Sequence, residues 1–168
     1  MSVRRCLLSM QFRHETCMKL SLFLLLGSFF GALCAKEVII NRNALFVAFS
    51  QVAWEPCSLI RSLLRAAVFP SLMSAALVLR RRGFFSLLFL AKGFLFSYLL
   101  CVLTIGGAEV DSWFFHRLLT ETVLPLPTLL YVGTVWSEDT RRGSSHLILL
   151  LVSFGICFLS ALLASILF

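Results

Sequence analysis

The chain has 168 residues, 60% of them hydrophobic and only 14% charged, with a mean hydropathy of +0.95 and 17 Phe. Ordinary soluble domains carry about 45–50% apolar and about 25% charged residues, so this composition excludes a water-soluble single domain and makes a bilayer the solvent. Fifteen Lys and Arg against eight Asp and Glu give a formal charge of +7, which an anionic membrane surface explains without any nucleic-acid partner.

Residues 1–19 read as a basic cytoplasmic tail with Arg4, Arg5, Arg13 and Lys19 around Glu15, and residues 20–168 as a single membrane-embedded helical domain. Leu20 to Ala35 is apolar and uncharged, the first predicted span. A basic start, an apolar stretch and the small residues Ala32 and Ala35 also fit a signal peptide. Gly31-Ala32-Leu33-Cys34 makes a poor lipoprotein box, because Leu33 sits where a small residue should precede the Cys. With further spans to follow, a retained anchor is the expectation.

The connector 36–58 holds Lys36, Glu37, Arg42 and Glu55, and its apolar stretch Ala44 to Trp54 is too short to cross a bilayer. An interfacial position is expected for it. Leu59 to Leu79 is apolar apart from Arg61 and Arg65, whose long stems can reach the headgroups; it is the second predicted span, stopped by Arg80, Arg81 and Arg82. Gly83 to Ile105 follows as 23 residues broken only by Lys92, about 35 Å of helix against a hydrocarbon core of roughly 30 Å.

Gly106 to Glu121 reads as a boundary loop with Glu109, Asp111, Trp113, His116 and Arg117. Thr122 to Trp136 is short and carries Pro125 and Pro127 near its start, which predicts a tilted or half-inserted fourth segment. A polar turn at 137–145 leads to the uncharged run Leu147 to Phe168. The expected fold is thus all-α, a polytopic bundle of about five transmembrane helices in the cell membrane. With the N-terminus cytoplasmic, nine Lys and Arg fall on the inner side, five on the outer, and Lys92 lies within the membrane.

Catalytic signatures are missing from the sequence: there is no His-Glu-x-x-His, no Gly-x-Ser-x-Gly, no Walker loop and no pair of carboxylates within a span. His14, His116 and His146 stand apart, and Cys6, Cys17, Cys34, Cys57, Cys101 and Cys157 show no metal-ligand spacing and read as small reduced hydrophobes. No enzymatic activity, metal or cofactor is expected. Gly27 and Gly31, four apart, give one face of the first helix a close-packing surface that Ala35 extends; a homo-oligomer is one use for it. Lys92 would cost about 2.5–3.5 kcal/mol at a helix centre and therefore faces protein, water or headgroups. The third segment is either one long helix or two pieces broken at Lys92-Gly93. Carbonyls freed near Pro125 or Pro127 are the expected partners of the ammonium.

The apolar first helix Leu22 to Leu33, the run Leu63-Leu64-Arg65-Ala66-Ala67-Val68-Phe69-Pro70, the run Ala91-Lys92-Gly93-Phe94-Leu95-Phe96-Ser97-Tyr98 and the Leu124-Pro125 step occur in that order. This arrangement resembles the stage II sporulation protein M family of integral membrane proteins from spore-forming Firmicutes, with a similar basic-Gly-Phe-apolar signature; the likeness spans most of residues 20–136. The resemblance implies a non-enzymatic scaffold that acts during engulfment with the stage II sporulation proteins D and P, which remodel peptidoglycan. The alternative is a small subunit of a membrane transporter or channel, with Lys92, Pro125 and Pro127 lining a pathway.

Overall fold

A computed structural model describes residues 3–40, 59–79, 82–105, 119–138 and 143–167, all of them helical or in the turns that join helices. The elements are α1 (Val3–Ile40), α2 (Leu59–Val78), α3 (Arg82–Ile105), α4 (Leu126–Glu138) and α5 (Gly143–Leu167), with a further helical turn at residues 119–123. The connector at 41–58 and the loop at 106–118, where interfacial positions were expected, lie outside the described residues.

Three helices are long and apolar enough to cross a membrane, through Arg13–Glu37, Gly83–Val102 and Leu147–Ile166; α2 contributes the shorter apolar stretch Leu63–Val78. α4 has only 13 residues, about 20 Å. Five helices of ten or more residues are thus present among the described residues, and three of them are long and apolar enough to cross a membrane.

Several boundaries differ from the sequence expectation. α1 shows no break between a tail and a span, since it runs through Arg13, Lys19 and Leu20 as one 38-residue helix. The third segment is a single 24-residue helix, continuous through Lys92 and Gly93. The chain breaks instead at Leu124-Pro125, where Pro125 closes the turn and its carbonyl accepts from the Leu129 N–H at 2.9 Å. Pro127 then sits in the first turn of α4, where a missing N–H costs no helical hydrogen bond. Ser137 belongs to α4 and Gly143 to α5, so the ends of the expected polar turn at 137–145 are helical.

The most extensive helix pairing joins α1 to α3, and glycine makes it possible. A Cβ on Gly27 would strike the Leu90 carbonyl, one on Gly31 the Phe94 carbonyl, and one on Gly93 the Leu24 carbonyl. In glycine that direction is taken by the second Hα, so all three residues aim a C–H at a carbonyl across the seam. Such contacts recur at close helix interfaces and contribute about 0.5–1 kcal/mol apiece. Ser28 adds a polar link, its hydroxyl lying 3.0 Å from the Leu24 carbonyl on its own helix and 3.4 Å from the Gly93 carbonyl across the seam.

The pairing order sets the direction of the helices. Gly27 meets Leu90, Gly31 meets Phe94, and Ala35 packs with Tyr98 and Val102, so α1 and α3 run parallel. α2 and α3 are separated only by residues 79–81 and pack on each other, which makes them an antiparallel hairpin.

The main core lies beside this seam. Phe85, Leu88 and Phe89 of α3 interlock with Phe69, Met73 and Ala76 of α2, with Leu129, Val132 and Trp136 of α4, and with Leu20 of α1 and Cys157 of α5. Phe69 and Phe89 meet edge to face at 5.6 Å between centroids, a geometry that sets a ring edge against a ring face. Gly133 admits the Phe89 ring, which would lie 2.9 Å from an added Cβ.

Helix hydroxyls turn back onto their own helices. Ser71 bonds the Ala67 carbonyl at 2.7 Å, Thr134 that of Leu130 at 2.7 Å, Ser153 that of Leu150 at 2.8 Å and Ser160 that of Cys157 at 2.8 Å. Each such bond satisfies a hydroxyl on its own helix without a partner from outside.

Candidate functional site

The cavity that gathers ionisable side chains opens between α2 and α3 and is closed by the turn before α4 and by α5. Its volume is about 330 Å³, and its wall is apolar apart from Arg65, Lys92, Glu121, Thr122 and the Cys157 thiol. α2 contributes one face through Ala66, Phe69 and Leu72, and α3 the opposite face through Leu88, Lys92 and Leu95. Val68, Leu72 and Leu95 are exposed at its mouth, so the cavity opens sideways, on the surface the two helices present outward.

Lys92 is the centre of this arrangement. Its Nζ stands 4.8 Å from the centroid of the Phe69 ring, within the roughly 6 Å over which an aromatic face attracts a cation. Glu121 and Cys157 line the same cavity. The prolines were expected to free its acceptors, yet no hydrogen bond joins Lys92 to a carbonyl near Pro125 or Pro127 among the described residues. The ring face fills that role because it is packed against α3 through Phe89, while Pro125 is a buried wall residue and Pro127 points outward. Pro70 also bears on the cavity: lacking an N–H, it removes the helical donor of the Ala66 carbonyl, and Ala66 is a lining residue.

Lys92 and Gly93 are adjacent in sequence but serve different faces of α3, about 100° apart. Gly93 enters the seam with α1, and Lys92 enters the cavity against α2. Gly27 and Gly31 lie wholly in the seam, whose occupant is α3 of the same chain.

Arg65, Phe69, Glu121, Thr122 and Cys157 were not singled out from the sequence as neighbours of Lys92. Arg65 carried a usable signal, because an ionisable side chain within an apolar run tends to face protein, water or headgroups rather than lipid tails. Glu121 carried none, since its polar neighbours placed it in a loop. The described cysteines, Cys17, Cys34, Cys101 and Cys157, are free thiols, and no group of three His, Cys, Asp or Glu side chains is gathered among the described residues.

Comparison with protein-family models, with curated proteins and with solved structures returned no match. Its fold and its cavity characterise the chain: the described residues are all helical, three of their helices are long and apolar enough to cross a bilayer, and ionisable side chains line a cavity between two of them.

Proposed function

We propose that this chain is a non-enzymatic, multi-pass scaffold of the cell membrane, of stage II sporulation protein M type, that recruits or localises peptidoglycan-remodelling proteins during engulfment. By the sequence resemblance, its partners are the stage II sporulation proteins D and P. The observation that carries the reading is the division of surfaces on α1. One face is committed to α3 through Gly27 and Gly31, while Leu22, Leu25, Phe29 and Phe30 remain exposed on the other. An apolar outward face of this kind suits lipid and membrane-protein partners together.

The proposed topology has five crossings, with the N-terminus inside and the C-terminus outside. Its support is the nine-to-five division of cations together with the parallel run of α1 and α3. Two parallel crossings require the chain between them to return across the bilayer, and α2 is the apolar helix available among the described residues. The fourth crossing would be broken at Leu124-Pro125, with the turn at 119–123 and α4 as its two pieces.

Deletion of the gene in its own host is the test: engulfment should fail while vegetative growth continues. Normal sporulation combined with loss of uptake or export of a solute would select the second reading, a small transporter or channel subunit. That reading is favoured by one observation, the cavity around Lys92.

A further inference from the structure

We propose that the exposed face of α2 draws the headgroup layer of one leaflet inward to Arg65, so that the bilayer is thinner beside this helix than beside α5. The partner is the phospholipid surface itself, met through its phosphates. The inference rests on α2 being the return crossing between the parallel helices α1 and α3, and three observations carry it.

The first is length. The apolar stretch Leu63–Val78 of α2 extends for about 24 Å, short of a hydrocarbon core of roughly 30 Å. The sequence continues through Leu79 into Arg80, Arg81 and Arg82, a cluster that favours headgroups at that end.

The second is the depth of a charge. Lys92 Nζ lies 4.8 Å from the centroid of the Phe69 ring. Because α2 and α3 are antiparallel, Arg65, one turn before Phe69, stands close to the level of Phe96. The apolar span of α3 continues to Val102, about 9 Å further along the helix. Arg65 is exposed, with Leu64 and Val68 exposed beside it. Contacts within the protein leave that exposed surface in place, and hydrocarbon does not accept it. A long stem lifts the charge part of the way to the headgroups, and local thinning of the bilayer supplies the rest. The guanidinium then meets phosphate, an anion its donors suit.

The third is contrast. α5 packs on α2, yet its apolar stretch Leu147–Ile166 runs for 20 residues without a charge, about 30 Å of helix. The short hydrophobic length therefore belongs to α2 and not to this neighbour. A helix shorter than the core is accommodated by thinning of the bilayer and by snorkelling at its ends.

Nitroxide labels placed on a Cys-free background test the depth of this face. The full-length protein is reconstituted in dioleoylphosphatidylcholine nanodiscs, and each label reports the ratio of its collisions with a water-soluble nickel chelate to its collisions with oxygen. Leu64, Leu72 and Leu159 are the labelled positions, all exposed. Leu159 lies just beyond Cys157, which lines the same cavity as Arg65, and so marks a comparable level on α5. The label at Leu64→Cys should give a nickel-to-oxygen ratio several-fold above that at Leu159→Cys, and the label at Leu72→Cys a ratio as low as that at Leu159→Cys. Adding Arg65→Leu should lower the Leu64 ratio to the Leu159 value, whereas Arg65→Lys should keep it high. Equal ratios at Leu64 and Leu159 with Arg65 in place would overturn the proposal, and this comparison decides the matter if Arg65→Leu fails to accumulate. A Leu64 ratio unmoved by Arg65→Leu would overturn it as well. High ratios at Leu64 and Leu72 alike would mean that α2 lies along the membrane surface, which removes the return crossing and the proposal with it.

Discussion

Gly31 presses directly on the backbone of Phe94, so closely that the carbonyl of Phe94 occupies the space where any other residue would carry its Cβ. Gly27 stands in the same relation to Leu90, and Gly93 returns the contact toward Leu24. The seam is therefore backbone against backbone, and its tolerance of added atoms is low.

Gly27→Leu with Gly31→Leu should separate α1 from α3 and sharply reduce the amount of folded protein, since neither backbone can shift to admit a side chain. Gly155 is the matched control, because nothing lies within 4 Å of an added Cβ there. Gly155→Ala should leave yield unchanged or improve it, as Ala is favoured over Gly within a helix by about 1 kcal/mol. Size-exclusion profiles and thermal denaturation in detergent give the comparison.

The parallel course of α1 and α3 can be tested by cross-linking on a Cys-free background. Ala35→Cys with Tyr98→Cys should join through a short thiol cross-linker, because both side chains belong to one small cluster. Ala35→Cys with Phe85→Cys should not, since Phe85 lies in the other cluster. The reverse pattern would mean antiparallel helices and would remove the argument for α2 as a return crossing.

Lys92 and Phe69 should be coupled. A double-mutant cycle of Lys92→Met and Phe69→Leu should yield an interaction of about 0.5–2 kcal/mol, the range for a cation over an aromatic face with increasing desolvation. Strict additivity in unfolding measurements would mean that the ammonium gains nothing from the ring.

Trp136 is almost fully buried, and its indole Nε1 has no hydrogen-bond partner among the described residues. Trp136→Phe removes that donor while keeping an aromatic ring. The gain from losing an unsatisfied N–H, about 1–3 kcal/mol, opposes the cost of a smaller ring in a packed site, so the melting temperature should stay within a few degrees of wild type. Trp136→Ala, which only opens a cavity, should lower it clearly.

The sequence was most informative where a physical requirement leaves a local mark. Gly27 and Gly31 declare a close-packing face by spacing alone, and the long apolar runs of α3 and α5 declare their lengths. Gly93 was harder to interpret, because beside Lys92 it suggests a break, whereas close contact with α1 supports a continuous helix there. The extension of α1 back to Val3 left no apolar pattern, as Arg13 and Lys19 are polar and depend on helical propensity rather than on burial. The cavity was legible only through Lys92. Its other members come from α2, a turn and α5, and no one-dimensional pattern links residues that tertiary packing brings together.

The α1–α3 seam also imposes an order on biogenesis. Ser28 and Gly93 are 65 residues apart in the chain, an interval that a ribosome covers in roughly 3–13 s at about 5–20 residues per second. During that time the natural mate of α1 has not been made, so its glycine row lacks the backbone it packs against in the folded chain. Its lasting neighbour is made only after α2. A nascent chain arrested before Gly93 would hold α1 in this unmated condition, with its close-packing row uncovered until α3 is made.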